Sequence, residues 1–184
     1  GLLVGATVNL RPDLYAAAIG AVPFIDVINT ISDADLPLTP PEWEEWGNPI
    51  KSEEHYRWIA QYSPYDNIRN AQYPPIMATS GLADYRVTYW EPAKWVARLR
   101  EETKDPLVVQ RINMDAGHAG SAARFERLEE HAHVYAFALK ALGVHATKPV
   151  RHSKKKQSVG RSSVATPSRP GRSWIAKLFS LGGR

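Results

Sequence analysis

Asp84, in the stretch SGLADYRV, and His118, in MDAGHAG, are the residues whose types and placement most clearly suggest chemistry. Each follows a short apolar run and precedes a helical pattern. A carboxylate and an imidazole on loops at one end of a sheet are two parts of the relay that activates a serine. The acid fixes the imidazole's tautomer, and the imidazole takes a proton and later returns it. Acid before histidine in the chain is the order of one large class of such triads. No G-x-S-x-G stands anywhere in the sequence. The pair therefore reads as the back half of a serine hydrolase, without its nucleophile. Gly117, Ala119 and Gly120 leave the ring of His118 little steric cover. Asp115 is a poorer acid, because it sits on the same loop three residues before the histidine. The competing reading is a loop histidine and a helix-capping aspartate.

The elements that must position this pair are legible from periodicity. Residues 1–9 read as a helix. The small apolar run Ala18–Val22 stops at Pro23 and suits a buried parallel strand. Val27–Ile31 reads as a helical turn. Residues 35–49 are proline-rich around a brief acidic-aromatic helical stretch, and Glu53–Tyr62 reads as a helix. Ile76–Thr79 is a strand that leads into the loop of Asp84. Pro92 fits the first turn of a helix reaching Thr103, with Trp95, Val96 and Leu99 on one face. Leu107–Met114 is a further strand. Phe125, Leu128, Ala132, Tyr135, Leu139 and Leu142 then mark a helix by their 3-4-3-4-3 spacing. Strands alternating with helices predict a mostly parallel α/β sheet flanked by helices. In such sheets functional groups gather beyond the carboxyl ends of the strands, where both loops should open.

Composition bounds the rest. With 184 residues and 43% hydrophobic content, the chain has room for one domain with a core and a tail. It has no cysteine, which excludes disulfides and thiolate metal sites and suits a cytoplasmic setting. No apolar run reaches the roughly 18 residues that span a bilayer. The opening GLLVGATVNL lacks the marks of a signal peptide. The net charge of +4 is split unevenly. Residues 147–184 hold ten Lys/Arg and no acid, so residues 1–146 have thirteen Lys/Arg against nineteen Asp/Glu. Two parts are expected: a body over 1–146 and a basic, disordered tail over 147–184.

Three stretches then carry a resemblance: YPPIMATSGLADYRVTYWEPAKWVARLR, MDAGHAG and DLPLTPPEWEEWGNP, with YSPYDN at 62–67 beside them. From Gly1 to about Gly143 the chain resembles the C-terminal part of the catalytic domain of the prolyl oligopeptidase family of serine peptidases, and within it the oligopeptidase B branch. The resemblance implies a partial α/β-hydrolase fold whose leading strands and nucleophile elbow lie outside this sequence. Gly1 would match the last glycine of a GGSAGG-like motif, three residues after the serine. It implies Asp84 and His118 as the triad's acid and base. It also implies that Glu42 and Glu44 select a basic residue on the amino side of the cut bond, and that Arg86 holds a substrate carbonyl. Short peptides cut after Lys or Arg would be the substrates, with no cofactor. Without a nucleophile or oxyanion donors, this chain alone is expected to be inactive.

Each assignment has a plainer rival. Glu42, Glu44 and Glu45 follow Pro40-Pro41 and suit the first turn of a solvated helix. In an extended segment Glu42 and Glu44 point the same way, whereas in a helix they diverge. The sequence leaves that open. Arg86 suits a surface site or an ion pair with Asp84. None of Ser63, Ser80, Ser121 and Ser153 sits on a strand–turn–helix elbow. The tryptophans read as core and pocket walls. His131 and His133, two apart on one helix, face apart and do not suggest a metal site. In the tail, SWIAKLFSL has the pattern of a short amphipathic helix. The tail's charge allows weak attraction to anionic surfaces, without the aromatic interleaving of a specific nucleic-acid site. A non-catalytic remnant acting through this tail is the alternative function.

Overall fold

A computed structural model describes residues 1–103 and 107–144. The expected boundary at 147, the basic tail and its short helix lie outside the described residues. The elements run α1 (Leu2–Leu10), a 3-10 turn (Pro12–Leu14), β1 (Ala18–Ala21), α2 (Val27–Ile31) and α3 (Thr39–Trp46). They continue with α4 (Glu53–Ala60), β2 (Ile76–Gly81), α5 (Trp90–Glu102), β3 (Val108–Asn113) and α6 (Arg124–Ala141). The three strands form one parallel sheet in the order β1-β2-β3. Ala18 stands beside Ile76, and Ile76 beside Val108. Parallel neighbours need helical crossovers. Helices α2 to α4 fill the first crossover and α5 the second, so all three strands end on the same edge.

Local chemistry sets the helix ends. Ser52 caps α4 by accepting the amide of His55 at 3.3 Å, with Glu53 and Glu54 in the first turn. Such a cap contributes about 1 kcal/mol. Helix α3 stops at Gly47, whose φ of +94° few other residues adopt.

Packing then fixes the layers. One core cluster joins Val8, Ile25, Ile76, Ala78, Trp95, Leu99 and Val108, binding α1 and α5 to the sheet. A second joins Val27, Ile28, Ile31 and Ile59 beneath Trp43 and Trp46. Fully burying each such aliphatic side chain contributes roughly 1.5–3 kcal/mol, far more than any one cap. Trp95 is fully buried, but Trp58 and Trp90 are about half exposed and do not serve as core. Their helices are docked by other faces. Two buried polar side chains bridge elements: Asn9 donates to the carbonyl of Pro64 at 2.7 Å and accepts from the hydroxyl of Tyr73 at 2.9 Å.

Helix α6 departs from the simplest reading of its pattern. Glu130, Val134, Phe137 and Ala141 face the body, and Phe137 is buried. The stripe of Phe125, Leu128, Tyr135, Leu139 and Leu142 is exposed, Phe125 to 79%. The helix thus has two apolar faces, and the spacing marked the one that this body leaves uncovered. No helix among the described residues is long and apolar enough to cross a membrane.

Candidate active site

Both candidate loops leave the sheet at its carboxyl edge. Strand β2 runs into Leu82–Asp84, and β3 runs into the turn that carries His118. The two loops are joined through the backbone. The amide of Leu82 donates to the carbonyl of Asn113 at 2.8 Å, and that of Ala83 to the carbonyl of Ala116 at 3.1 Å. Gly81 makes this possible, because a Cβ there would lie 2.3 Å from the carbonyl oxygen of Ala116.

Asp84 is buried to all but 4% of its surface. Its Oδ1 accepts the amides of Arg86 at 2.9 Å and Val87 at 3.0 Å. Its Oδ2 lies 2.8 Å from Nδ1 of His118. Two backbone donors fix the carboxylate and point its free oxygen at the ring. A proton on Nδ1 satisfies that oxygen and leaves Nε2 as the basic nitrogen. The side chain of His118 is 36% exposed, so the imidazole can be reached. Asp115, the poorer candidate acid, is exposed and takes no part in this contact.

The histidine loop is held from behind by α6. Glu130 accepts the amide of Ser121 at 3.2 Å and the side-chain amide of Asn113, and it pairs with Arg111 at 3.5 Å. Partial burial pushes the Glu130 carboxyl up, but Asn113, the Ser121 amide and Arg111 outweigh it and hold the pKa below 4.5. The hydroxyl of Ser121 donates to Glu126 at 2.6 Å, and that of Ser63 to Asp66 at 2.6 Å. Ser80 is buried, with its hydroxyl unpartnered among the described residues.

Beside His118 lies a cavity of about 260 Å³, walled by Phe24, Trp46 and Arg86 and by the carboxylates Glu42, Glu45 and Glu91. Since α3 is helical, Glu42 and Glu45 share a face that lines the cavity, with Glu45 exposed at its rim, while Glu44 is exposed and does not line it. The acidic pair at the cavity is thus 42 and 45, where the resemblance implied 42 and 44. Burial pushes the Glu42 carboxyl above its ordinary 4.5, and the charge of Glu45 adds to the effect. Arg86 lines the same cavity. Its backbone amide serves Asp84; of the two plainer alternatives, the side chain is exposed at the surface and makes no ion pair with Asp84. Among the described residues, no group of three or more His, Cys, Asp or Glu is placed to hold a metal ion.

Glu91 is the residue that sequence reasoning passed over. It follows Trp90 at the start of α5 and reads as an ordinary first-turn glutamate, yet it is 1% exposed. Its oxygens accept the amides of Ile25 and Asp26 at 2.8 and 3.0 Å and the hydroxyl of Thr30 at 2.6 Å. Burial raises its pKa against these donors. Its partners lie 61 to 66 residues away, so no local pattern marks it.

Comparison with known proteins identifies the family. The sequence profile of the Prolyl oligopeptidase family matches residues 1–145. Protease 2 of Moraxella lacunata is 48% identical over 151 residues, which cover 82% of this chain and 22% of that protein. Dipeptidyl aminopeptidase BI of Pseudoxanthomonas mexicana is 48% identical over 145 residues, or 78% of this chain and 20% of that protein. Among solved structures, oligopeptidase B from Leishmania major superposes with a TM-score of 0.76 at 45% identity, covering 82% of this chain and 21% of that one. Oligopeptidase B from Trypanosoma brucei, with covalently bound antipain, gives 0.75 at 46%, covering 79% and 20%. The chain spans about a fifth of the length of these relatives. With its parallel sheet of a partial α/β-hydrolase fold and an acid–histidine pair at the sheet's carboxyl edge, the chain belongs to the prolyl oligopeptidase family.

Proposed function

We propose that this segment supplies the acid and the base of a serine-type peptidase, and that the peptidase cleaves short peptides after Lys or Arg. The observation that carries the reading is the 2.8 Å contact between His118 Nδ1 and a buried, doubly amide-bound Asp84, beside a carboxylate-walled cavity. In this reading Nε2 of His118 takes the proton of a serine hydroxyl as it attacks the scissile carbonyl. It then hands that proton to the leaving amine. Asp84 holds the tautomer and offsets the charge of the imidazolium. The serine and the oxyanion donors come from a catalytic-domain segment outside this sequence.

Glu42 receives the basic side chain of the substrate. A partly desolvated carboxylate pairs well with ammonium, and bidentately with guanidinium. Glu45 stands on the same helix face and deepens the negative potential. In the same reading Arg86, at the cavity wall, holds a substrate carbonyl. Glu44, turned outward, has no part in this pocket.

The test places the chain behind a family segment that carries the serine and compares hydrolysis of an arginyl amide with that of a neutral amide. A preference for the arginyl substrate that disappears with Glu42→Gln supports the reading. Equal turnover of both, or full activity of His118→Ala, overturns it.

A second reading rests on charge. Ten Lys/Arg and no acid fall within residues 147–184, which suits weak binding to anionic surfaces. Retention on heparin that persists after removal of 147–184 would exclude it.

A further inference from the structure

We propose that Glu91 is a positioning residue for recognition of the basic side chain, holding the α3 wall of the cavity in register with the loop of Asp84. The inference rests on the substrate reading above and adds a residue that shapes the same site.

The geometry is a chain of hydrogen bonds. Glu91 stands seven residues after Asp84, where the catalytic loop becomes α5, and its own amide donates to the carbonyl of Thr88 at 3.1 Å. Its carboxylate reaches across to the segment after β1, taking the amides of Ile25 and Asp26 with one oxygen and the hydroxyl of Thr30 with the other. The carbonyl of Thr30 then accepts the hydroxyl of Thr39 at 2.7 Å. Thr39 is the first residue of α3 and is 1% exposed. Glu42 lies three residues further, in the same first turn. One residue along, the carbonyl of Ile31 accepts the indole N–H of Trp43 at 2.9 Å. Both links start from the carboxyl end of α2: one seats the amino end of α3 at Thr39 and the other its middle at Trp43, on either side of Glu42.

The burial of Glu91 makes this costly to leave without purpose. An acid removed from water is tolerated only when its oxygens are occupied, and here three donors occupy them. An apolar residue of similar size would pack α5 on α2 without that cost. What it would not do is fix the angle at which the α2–α3 segment meets the acid's loop. Two neighbouring groups complete the joint: Asp26 pairs with Lys94 of α5, and its other oxygen accepts the side-chain amide of Asn29 at 2.7 Å.

The experiment compares Glu91→Ala, Thr30→Val and Glu91→Gln in the chain placed behind the serine-bearing segment. Glutamine keeps the contacts, with its oxygen on the two amides and its nitrogen turned to the hydroxyl of Thr30. Glu91→Ala and Thr30→Val should raise KM for the arginyl amide about tenfold or more, with kcat within about twofold. KM for the neutral amide should move less than about threefold, and Glu91→Gln should stay within about threefold of the parent on both. A merely structural role would lower the active fraction and so kcat for both substrates, with KM unmoved. That result overturns the proposal. So does a Glu91→Gln loss equal to that of alanine, which would assign the effect to charge. Exchange of the Trp43 indole proton, read by NMR in the 184-residue chain, gives an independent answer. It should quicken in Glu91→Ala and Thr30→Val, and unchanged protection in both overturns the coupling. A parent without basic preference would sink the substrate reading, while the indole measurement would still decide the coupling.

Discussion

Asp84 offers its two oxygens to different tasks: one is held by the amides of residues 86 and 87, and the other faces Nδ1 of His118 at 2.8 Å. A carboxylate fixed this way cannot swing off the ring, so the histidine's tautomer follows from backbone geometry. The amides come from the same loop that supplies the acid. The device is therefore local and travels with the loop.

In an active assembly, Asp84→Asn should lower kcat by about four orders of magnitude, because an amide stabilises the wrong tautomer. His118→Ala should lower it at least as far. KM for a peptide amide should change little in either. Steady-state kinetics, with protein concentration fixed by absorbance, checks both.

On the proposed substrate reading, recognition of a basic side chain should weaken in acid. Burial, with help from Glu45, raises the pKa of Glu42 above 4.5, and only the ionised carboxylate pairs with a cation. KM for an arginyl amide should therefore climb as pH falls through that raised value. Glu42→Gln should lose on the order of 10–100-fold in kcat/KM for this substrate and abolish that limb of the profile. A neutral substrate should show neither effect.

Two carboxylates should give opposite pH signatures in stability. Glu91 has its pKa raised by burial, so the folded state holds the proton more tightly than the unfolded one. Its favourable contribution is complete below about 4.5 and is lost as pH rises through the folded value. Thermal melts of Glu91→Gln should gain on the parent over that rise. Glu130 has its pKa lowered, so its contribution is present above 4.5 and is lost as pH falls through the folded value. Glu130→Gln should differ from the parent most near neutral pH and converge with it in acid.

Helix α6 should distinguish its two apolar faces by denaturation. Phe137→Ala removes a buried ring and should cost about 3 kcal/mol. Phe125→Ser acts on a ring that is 79% exposed and should stay within about 0.5 kcal/mol. Urea midpoints of the two variants at equal m-value check this.

Much of the architecture was legible in the sequence because it was written in local patterns. Ala18–Val22, Ile76–Thr79 and Leu107–Met114 announced three parallel strands, and the loops after the last two announced a common edge. The pairing of residues 84 and 118 followed from that edge. The acidic wall was only half legible. Glu42 stands out in the sequence, but whether Glu44 points the same way depends on whether residues 39–46 coil, and in the helix it is Glu45 that shares the cavity face with Glu42. Glu91 was illegible, since its donors come from Ile25, Asp26 and Thr30 across the fold. The stripe of α6 marks a helix in the sequence, yet periodicity records apolar faces without recording what meets them.

The bare α-carbon of Gly81 sets a rule for how such a site can change. Because Ala116 sits where a methyl group would go, the segments carrying acid and base cannot drift independently, and even a single added carbon would pry them open together. Tinkering with this centre, by evolution or by engineering, must move both loops as one piece or lose the spacing altogether.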